Sequence, residues 1–369
     1  MLTDHDYMTR AIELAERGRY STSPNPRVGC VLVRDGIIVG EGFHHYAGEG
    51  HAEVNALRMA GDKAQGATAY VTLEPCSHRG KTGPCCQALV NAGVVRVVTA
   101  MQDPNPLVAG SGCQYLRDAG IQTDIGLLQA EAEALNPGFI KRMSIGLPRV
   151  TCKLAMSLDG RTAMENGESQ WITGPEARAE VQRLRAESCA IITGIGSILI
   201  DDSKLNVREL AIDDSYAMPR QQPLRVVMDS RLCTPLDASV IGNDGRCLLL
   251  YSNPDVGNVE DLRQAGARVI RVSGQSQTID LEAALRYLAE KEQCNEVLIE
   301  AGATLSGALL EAGLIDELHV FIAPVLLGSK ARPLFELPLM HMADKVGLTI
   351  VDRHQFGDDM RIIAVPQEA

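Results

Sequence analysis

The chain has 369 residues, is 45% hydrophobic and carries a formal net charge of −12. That length suits two domains better than one. The acidic balance disfavours a non-specific grip on nucleic acid, which needs a basic face, yet leaves room for a small phosphorylated substrate held by a few local Arg or Lys residues.

The N-terminus from Met1 to Arg10 carries Asp4 and Asp6 around no apolar core and does not read as a signal peptide. The first predicted element there is a helix. Thr3 is its N-cap with Asp6 three residues on, Met8, Ala11, Ile12 and Ala15 share an apolar face, and Gly18 ends it. Two apolar runs, Val28–Val33 and Ile37–Val39, flank Asp35-Gly36, the strongest short hairpin signal. A helix over His51–Met59, a strand over Ala69–Leu73, a loop over Glu74–Pro84, a helix from Cys85 and a strand over Val94–Ala100 follow. A helical pattern from Leu128 to Ile145 is broken by Gly146-Leu147-Pro148, so residues 1–146 are read as one domain and 147–369 as another.

The second half has strands near Arg149–Met156, Ala190–Thr193, Leu224–Asp229, Cys247–Tyr251, Arg268–Val272, Glu296–Glu300 and Glu317–Ala323, with helical segments between several of them. Such alternation predicts a covered, partly parallel sheet, so the fold class is α/β in both halves. The longest apolar stretch, Ala190 to Ile200, is interrupted by Gly194 and Gly196 and is too short to span a bilayer, so no membrane partner is expected. The apolar run Leu318–Leu327 serves equally well as a core strand or at the subunit interface of a homo-oligomer. Ten cysteines lack the dense, even spacing of a secreted disulfide scaffold, which points to a reducing cytoplasm where thiols stay available for metal.

In the first half, His51-Ala52-Glu53, Pro75-Cys76 and Pro84-Cys85 fit together as one metal site. One imidazole and two thiolates give three ligands for zinc, and catalytic zinc sites, unlike structural ones, keep a fourth position open for water. Glu53 is not needed as a ligand and supplies a proton shuttle. This is the layout of zinc-dependent nucleobase deaminases. Coordination lowers the pKa of water from about 15.7 toward roughly 7, so hydroxide exists at neutral pH. His51 and Glu53 do not share a helix face, but they converge if the metal lies off the helix N-terminus. Cys85 opens a helix after a proline, where the dipole favours thiolate. Cys86 is the competing ligand; because adjacent cysteines rarely serve one ion, Cys85 is taken as ligand and Cys86 as packing. A structural site using both would leave Glu53 without a task.

The loop from Glu74 to Cys86, with Pro24-Asn25-Pro26, Val28-Gly29 and Gln102-Asp103-Pro104-Asn105-Pro106, closely resembles the bifunctional deaminase–reductase family of riboflavin biosynthesis. Matching pieces in the second half are Ser157-Leu158-Asp159-Gly160-Arg161, the run from Gly167 to Thr173, Asp201-Asp202 and Glu300-Ala301-Gly302. The similarity covers essentially the full length. It implies an N-terminal cytidine-deaminase-like α/β/α domain followed by a dihydrofolate-reductase-like α/β domain. It also implies two consecutive reactions: hydrolytic deamination of diaminohydroxyphosphoribosylaminopyrimidine with release of ammonia, then reduction of the ribosyl group to ribityl with NADPH.

By the same resemblance, His51, Cys76 and Cys85 hold zinc and Glu53 shuttles the proton, while Asn25, His44, His78, Lys81, Asp103 and Asn105 meet the pyrimidine or phosphoribosyl groups. It places NADPH contacts at Ala155, Trp171, Ser197, Asp201 and the run Gly302, Ala303, Thr304, Leu305, Ser306, Gly307 and Ala308. Substrate contacts in that half fall at Lys153, Ser169, Arg185, Leu205, Arg208 and Glu300. The physics agrees in part. A strand leading into Gly302 and a helix suits phosphate at a helix N-terminus, Arg185 and Arg208 suit phosphate by bidentate geometry, and Arg231 is a candidate for a 2′-phosphate. Gly194-Ile195-Gly196 starts a dinucleotide fingerprint that Leu199 does not complete.

Two departures from the family pattern, Lys81-Thr82-Gly83 where it has Arg-Thr-Pro and Ser203 where it has proline, predict changed affinity rather than lost activity. Two rival readings are a tRNA-type nucleobase deaminase with an unrelated appended domain, against which the charge argues, and a zinc-stabilised non-catalytic module.

Overall fold

The computed structural model describes residues 2–77, 83–106, 108–274 and 278–367. The chain divides into two units, Met1–Leu147 with Ile212–Arg220, and Pro148–Ala211 with Gln221–Ala369.

In the first unit α1 (Asp4–Glu16) starts as its residues dictate: Thr3 Oγ1 accepts from Asp6 N–H at 3.4 Å while the Asp6 carboxylate accepts from Thr3 N–H at 2.7 Å, closing a capping box. β1 (Gly29–Arg34) and β2 (Ile37–Phe43) pair antiparallel across Asp35 and Gly36, whose φ values of 54° and 76° are those of a two-residue hairpin turn. Next come α2 (Ala52–Ala60), β3 (Thr68–Val71), α3 (Cys85–Asn91) and β4 (Arg96–Thr99). Two elements outside the predicted set follow, α4 (Ser111–Asp118) and β5 (Gln122–Ile125). The single helix expected over 128–145 is two, α5 (Gln129–Leu135) and α6 (Pro137–Ile145), because Pro137 suits a first helical position and not an interior one.

The strand order is β2-β1-β3-β4-β5, antiparallel up to β3 and parallel beyond it. Alternation along the strands sends Val31, Val33, Tyr70 and Val98 to a cluster with Tyr7, Met8 and Ala11 of α1. Cys30, Leu32, Ala69, Val71 and Val97 join Ala52 and Ala56 of α2 and Leu89 of α3 on the opposite face. The result is three layers, α/β/α. Gly42 seats α2: a Cβ there would lie 2.4 Å from the Ala52 carbonyl oxygen and 2.5 Å from Ala56 N, so only glycine lets the first turn of α2 approach β2 this closely. The segment Ile212–Arg220 packs on the same unit. Arg17 Nε donates to Ser215 O at 2.6 Å, Tyr46 Oη donates to Met218 O at 3.1 Å, and Arg220 pairs with Glu49 at 2.6 Å while lying 3.4 Å over the Tyr46 ring.

The second unit runs β6 (Arg149–Ser157), β7 (Arg161–Ala163), α7 (Pro175–Glu187), β8 (Ala190–Gly194), α8 (Ile195–Asp201) and β9 (Leu224–Met228). It continues with β10 (Cys247–Tyr251), α9 (Val259–Gln264), β11 (Arg268–Arg271), α10 (Leu281–Glu290), β12 (Glu296–Ile299) and α11 (Ala303–Glu311). It ends with β13 (Glu317–Ala323), β14 (Arg332–Pro333), β15 (Leu348–Phe356) and β16 (Asp359–Pro366).

Nine strands form one sheet, ordered β11-β10-β9-β8-β12-β6-β13-β16-β15, parallel from β11 to β13 and antiparallel thereafter. Its central strands are continuous apolar runs because both faces are covered. Ile191, Val227, Leu249 and Leu298 pack with Ala177 and Val181 of α7 and Leu262 of α9. β13 is paired on both sides, by β6 and β16, so the first part of the Leu318–Leu327 run is a core strand and not an interface edge. One of the two edges is β15, where Leu348, Ile350 and Val351 are 45%, 44% and 56% exposed. No helix among the described residues is long and apolar enough to cross a membrane.

Candidate active sites

His51 is the N-cap of α2, Glu53 lies in its first turn, and Cys85 opens α3 after Pro84. Two helix starts therefore meet at one point, joined by Cys76 from the segment after β3. The Cys76 and Cys85 sulfurs lie 3.6 and 3.3 Å from His51 Nδ1, and the three ligand atoms all fall within 4.8 Å of one another. Glu53 is buried beside them. Cys86 turns away: its thiol donates to the Pro75 carbonyl at 3.0 Å and contacts Gly112 O at 3.4 Å.

A hydrogen bond from Cys85 and the neighbouring His51 pull the Cys76 thiol well below its ordinary range, while the same bond and burial hold Cys85 far above it. The bond to Cys76 raises His51, and burial raises Glu53 against the pull of His51. Two sulfurs and a carboxylate are thus crowded into one buried spot. A zinc ion fits this donor set. It takes two thiolates and one imidazole, and it supplies the positive charge that the second thiolate and the buried carboxylate need.

His44 is buried, with Nδ1 3.2 Å from Gly50 O, Nε2 3.0 Å from Asn25 Nδ2, and its ring edge-on to His51 at 5.3 Å. Burial holds its pKa down to about 4. The neutral ring thus donates from Nδ1 to Gly50 and accepts at Nε2, which turns the Asn25 NH₂ toward His44. On the other side Asp103 N–H donates to Glu74 Oε2 at 3.1 Å, and Asp103 Oδ1 accepts from Asn105 N–H at 2.9 Å. Asn25, Asp103 and Asn105 are thereby tied to the segments that carry the ligands. His78 and Lys81 lie outside the described residues. Gly83 is described, and among the described residues beyond its chain neighbours no heavy atom stands within 4 Å of where its Cβ would be.

In the second unit Lys153 and Ala155 lie on β6, and Ser197, Asp201, Leu205, Arg208, Glu300 and the run from Gly302 follow the carboxyl ends of β8 and β12, the usual ligand edge of an open α/β sheet. Lys153 and Ala155 share one face of β6, with Lys153 Nζ 4.0 Å from Glu300 Oε2. Arg185 grips Glu300 with Nε at 2.5 Å and Nη2 at 3.0 Å, and its Nη1 donates to Asn206 O at 2.9 Å. Burial depresses Lys153; burial also acts to raise Glu300, but Arg185, Lys153 and Arg208 hold that carboxyl below its ordinary range. Arg185, expected to fork a phosphate, holds Glu300 in this structure, so two of the expected substrate contacts stand together.

Leu205 sits buried in the core at a φ of 48°. In the run from Gly302 to Ala308, Ser306 is fully buried and a Cβ on Gly307 would meet Glu336 O at 2.1 Å, so these two face the protein. Thr304 Oγ1 donates to Glu336 Oε2 at 2.7 Å. Gly302 caps α11 and is exposed, with Ala303, Leu305 and Ala308 half-buried. Ser197 is half-buried on α8 and Asp201 exposed at its end. Trp171 is exposed, with the Arg178 guanidinium 4.7 Å over its ring; Ser169 precedes it in the same loop. Arg208 and Arg231 are exposed. The sequence reading overlooked Arg178, which only its spacing from Trp171 could have signalled, and the task of Glu74.

Residues 1–101 match the cytidine and deoxycytidylate deaminase zinc-binding region, and residues 148–362 match the RibD C-terminal domain. The chain is 50% identical to the riboflavin biosynthesis protein RibD of Escherichia coli over 366 residues, 97% of this chain and 98% of that one. It is 46% identical to the Haemophilus influenzae protein of the same name, over 98% of this chain and 97% of the other. Among solved structures it is similar to Acinetobacter baumannii RibD, with a TM-score of 0.91 at 48% identity and 99% coverage of both chains. A diaminohydroxyphosphoribosylaminopyrimidine deaminase/5-amino-6-(5-phosphoribosylamino)uracil reductase from Thermotoga maritima gives 0.85 at 30% identity, again over 99% of both.

Proposed function

This chain belongs to the RibD family of riboflavin-biosynthesis proteins, and we propose the residues through which it performs the two reactions of that family. It is a bifunctional enzyme: a zinc-dependent deaminase of diaminohydroxyphosphoribosylaminopyrimidine and an NADPH-dependent reductase of 5-amino-6-(5-phosphoribosylamino)uracil. A tRNA-type deaminase with an unrelated appendage, or a non-catalytic zinc module, would not carry a reductase match over residues 148–362. We assign the deaminase to residues 1–146 together with the segment Ile212–Arg220 that packs on them, and the reductase to the rest of 147–369.

In the deaminase, His51, Cys76 and Cys85 hold the zinc. When bound, zinc makes a water acidic enough to act as a nucleophile near neutral pH. Glu53 would carry two protons in turn, the first from the attacking water to the ring nitrogen and the second from the added hydroxyl to the leaving amine, which departs as ammonia. Asn25, Asp103 and Asn105 orient the pyrimidine and its phosphoribosyl group. The observation that carries this reading is the convergence of three ligand atoms within 4.8 Å beside a buried carboxylate. Glu53→Gln tests it. Ammonia release should fall by about 10²–10⁴-fold with one zinc per chain retained, and undiminished turnover would refute the assignment.

In the reductase, bound NADPH would supply a hydride for the ribosyl C1, with a proton taken up from solvent at the heteroatom released. Ala155, Trp171, Ser197, Asp201 and the start of α11, from Gly302 through Leu305, hold the cofactor. Lys153 and Glu300 meet the substrate with Ser169, Arg208 and Leu205, and Arg185 keeps Glu300 ionised and oriented. Two broader assignments complete the reading. The exposed nine-residue edge strand β15 favours a homo-oligomer built by pairing with a second copy, which sedimentation would test. Ten cysteines without the spacing of a disulfide scaffold favour a reducing cytoplasm, and the charge of −12 favours no nucleic-acid partner.

A further inference from the structure

The deaminase chemistry leaves one buried carboxylate of its domain unused. Glu74 is buried, and both its oxygens are engaged by main-chain N–H groups. Oε2 accepts from Asp103 at 3.1 Å and from Gly110 at 2.9 Å, and Oε1 accepts from Cys113 at 3.0 Å. Glu74 N–H itself donates to Met101 O at 3.0 Å. Two residues later the chain delivers Cys76. The same two segments touch again below, where a Cβ on Gly112 would stand 2.1 Å from Pro75 O and the Cys86 thiol reaches both Pro75 O and Gly112 O.

We propose that Glu74 is a positioning residue of the deaminase, its carboxylate tying the loop that carries Asp103 and Asn105 to the segment that carries Cys76. The inference rests on the reading of Asn105 as a substrate contact. A helix cap for α4 would need only the Gly110 and Cys113 donors. The bond to Asp103, continued by Asp103 Oδ1 to Asn105 N–H at 2.9 Å, extends the grip to the substrate loop. The position demands a carboxylate. Three donors converge on an acceptor-only group, and a glutamine would turn its own NH₂ against one of them.

The test uses the full-length zinc enzyme. Glu74→Gln should raise KM for the pyrimidine phosphate by about tenfold or more with kcat changed much less, the pattern of lost substrate binding rather than lost chemistry. Zinc should stay at one per chain, and the reductase step, supplied with the deaminated intermediate, should be unchanged. Asn105→Ala should raise KM likewise, and the double variant should be little worse than the poorer single, since one loop transmits both effects.

If Asn105→Ala raises KM while Glu74→Gln leaves KM and kcat within about twofold, or if the two effects multiply, the role of Glu74 is overturned. An unchanged KM in Asn105→Ala removes the substrate reading of that residue and the claimed route with it. Should Glu74→Gln lose its zinc, Glu74→Asp, which keeps the charge but shortens the reach, replaces it. Zinc loss in both variants makes Glu74 a residue of the fold alone and overturns the proposal.

Discussion

Replacing Gly42 by alanine is the most direct way to ask whether the deaminase site depends on where α2 sits. The added Cβ would lie 2.4 Å from Ala52 O and 2.5 Å from Ala56 N, against an ordinary contact of 3.4 Å or more. Both contacts are backbone atoms, so neither yields by changing rotamer; β2 or α2 must move by about 1 Å. The first turn of α2 carries His51 and Glu53, while Cys76 and Cys85 come from elsewhere and do not move with it. A misplacement of about 1 Å between reacting groups costs about 10²-fold in rate. Ammonia release by Gly42→Ala should therefore fall by about that factor, with a stability loss of about 1–3 kcal/mol. Cofactor oxidation, assayed with the deaminated intermediate supplied, should match the unmodified enzyme. A variant that folds, binds zinc and deaminates within about threefold of the original rate would refute the reasoning.

Three further outcomes are expected. Stripping the metal with a chelator should stop ammonia release and spare NADPH oxidation on supplied intermediate, with zinc restoring the first step; parallel loss of both would contradict the division of labour. Arg185→Lys keeps the charge but not the fork that grips Glu300, so the kcat/KM of reduction should drop by about tenfold while ammonia release is untouched; an unchanged value would show that the fork is dispensable. Asp244→Asn removes the carboxylate 2.5 Å from the buried Arg225 guanidinium, and chemical denaturation should report a loss of about 1–3 kcal/mol, below the about 3–5 of a fully buried pair because Asp244 is 40% exposed. The hydrogen bond from Arg225 holds Asp244 at about 2, below its ordinary 3.8. The stability it contributes is therefore complete above pH 3.8 and lost as pH falls toward 2, so the gap between wild type and variant should close over that interval.

Sequence alone made the zinc centre legible because its ligands are rare residue types at helix starts, and Cys85 and Cys86 could be ranked by a simple rule about neighbours. The elements read well where the signal was local: the Thr3 capping box, the Asp35-Gly36 turn, the apolar central strands. It failed where a competing local rule decided. Pro137 divided one helical pattern into two, and β15, exposed along all but its last residue, lacks the apolar alternation by which strands are recognised. The partner of Arg185 was equally invisible. A guanidinium looks the same in sequence whether it meets a phosphate or a glutamate 115 residues away. Glu74 was in plain view within the Glu-Pro-Cys motif, but its three donors come from a loop and a helix more than 25 residues downstream, beyond any local pattern.

Because Ile212–Arg220 belongs with the first unit while the chain on both sides belongs with the second, the deaminase is not one uninterrupted length of polypeptide. A stop codon after residue 147 would yield a fragment stripped of the strip that covers Arg17, Tyr46 and Glu49. The complementary fragment would carry that strip with nothing to lie against. Separating the two enzymes into independent genes thus takes more than severing a linker: the bared patch has to be resurfaced, or the borrowed strip grafted back.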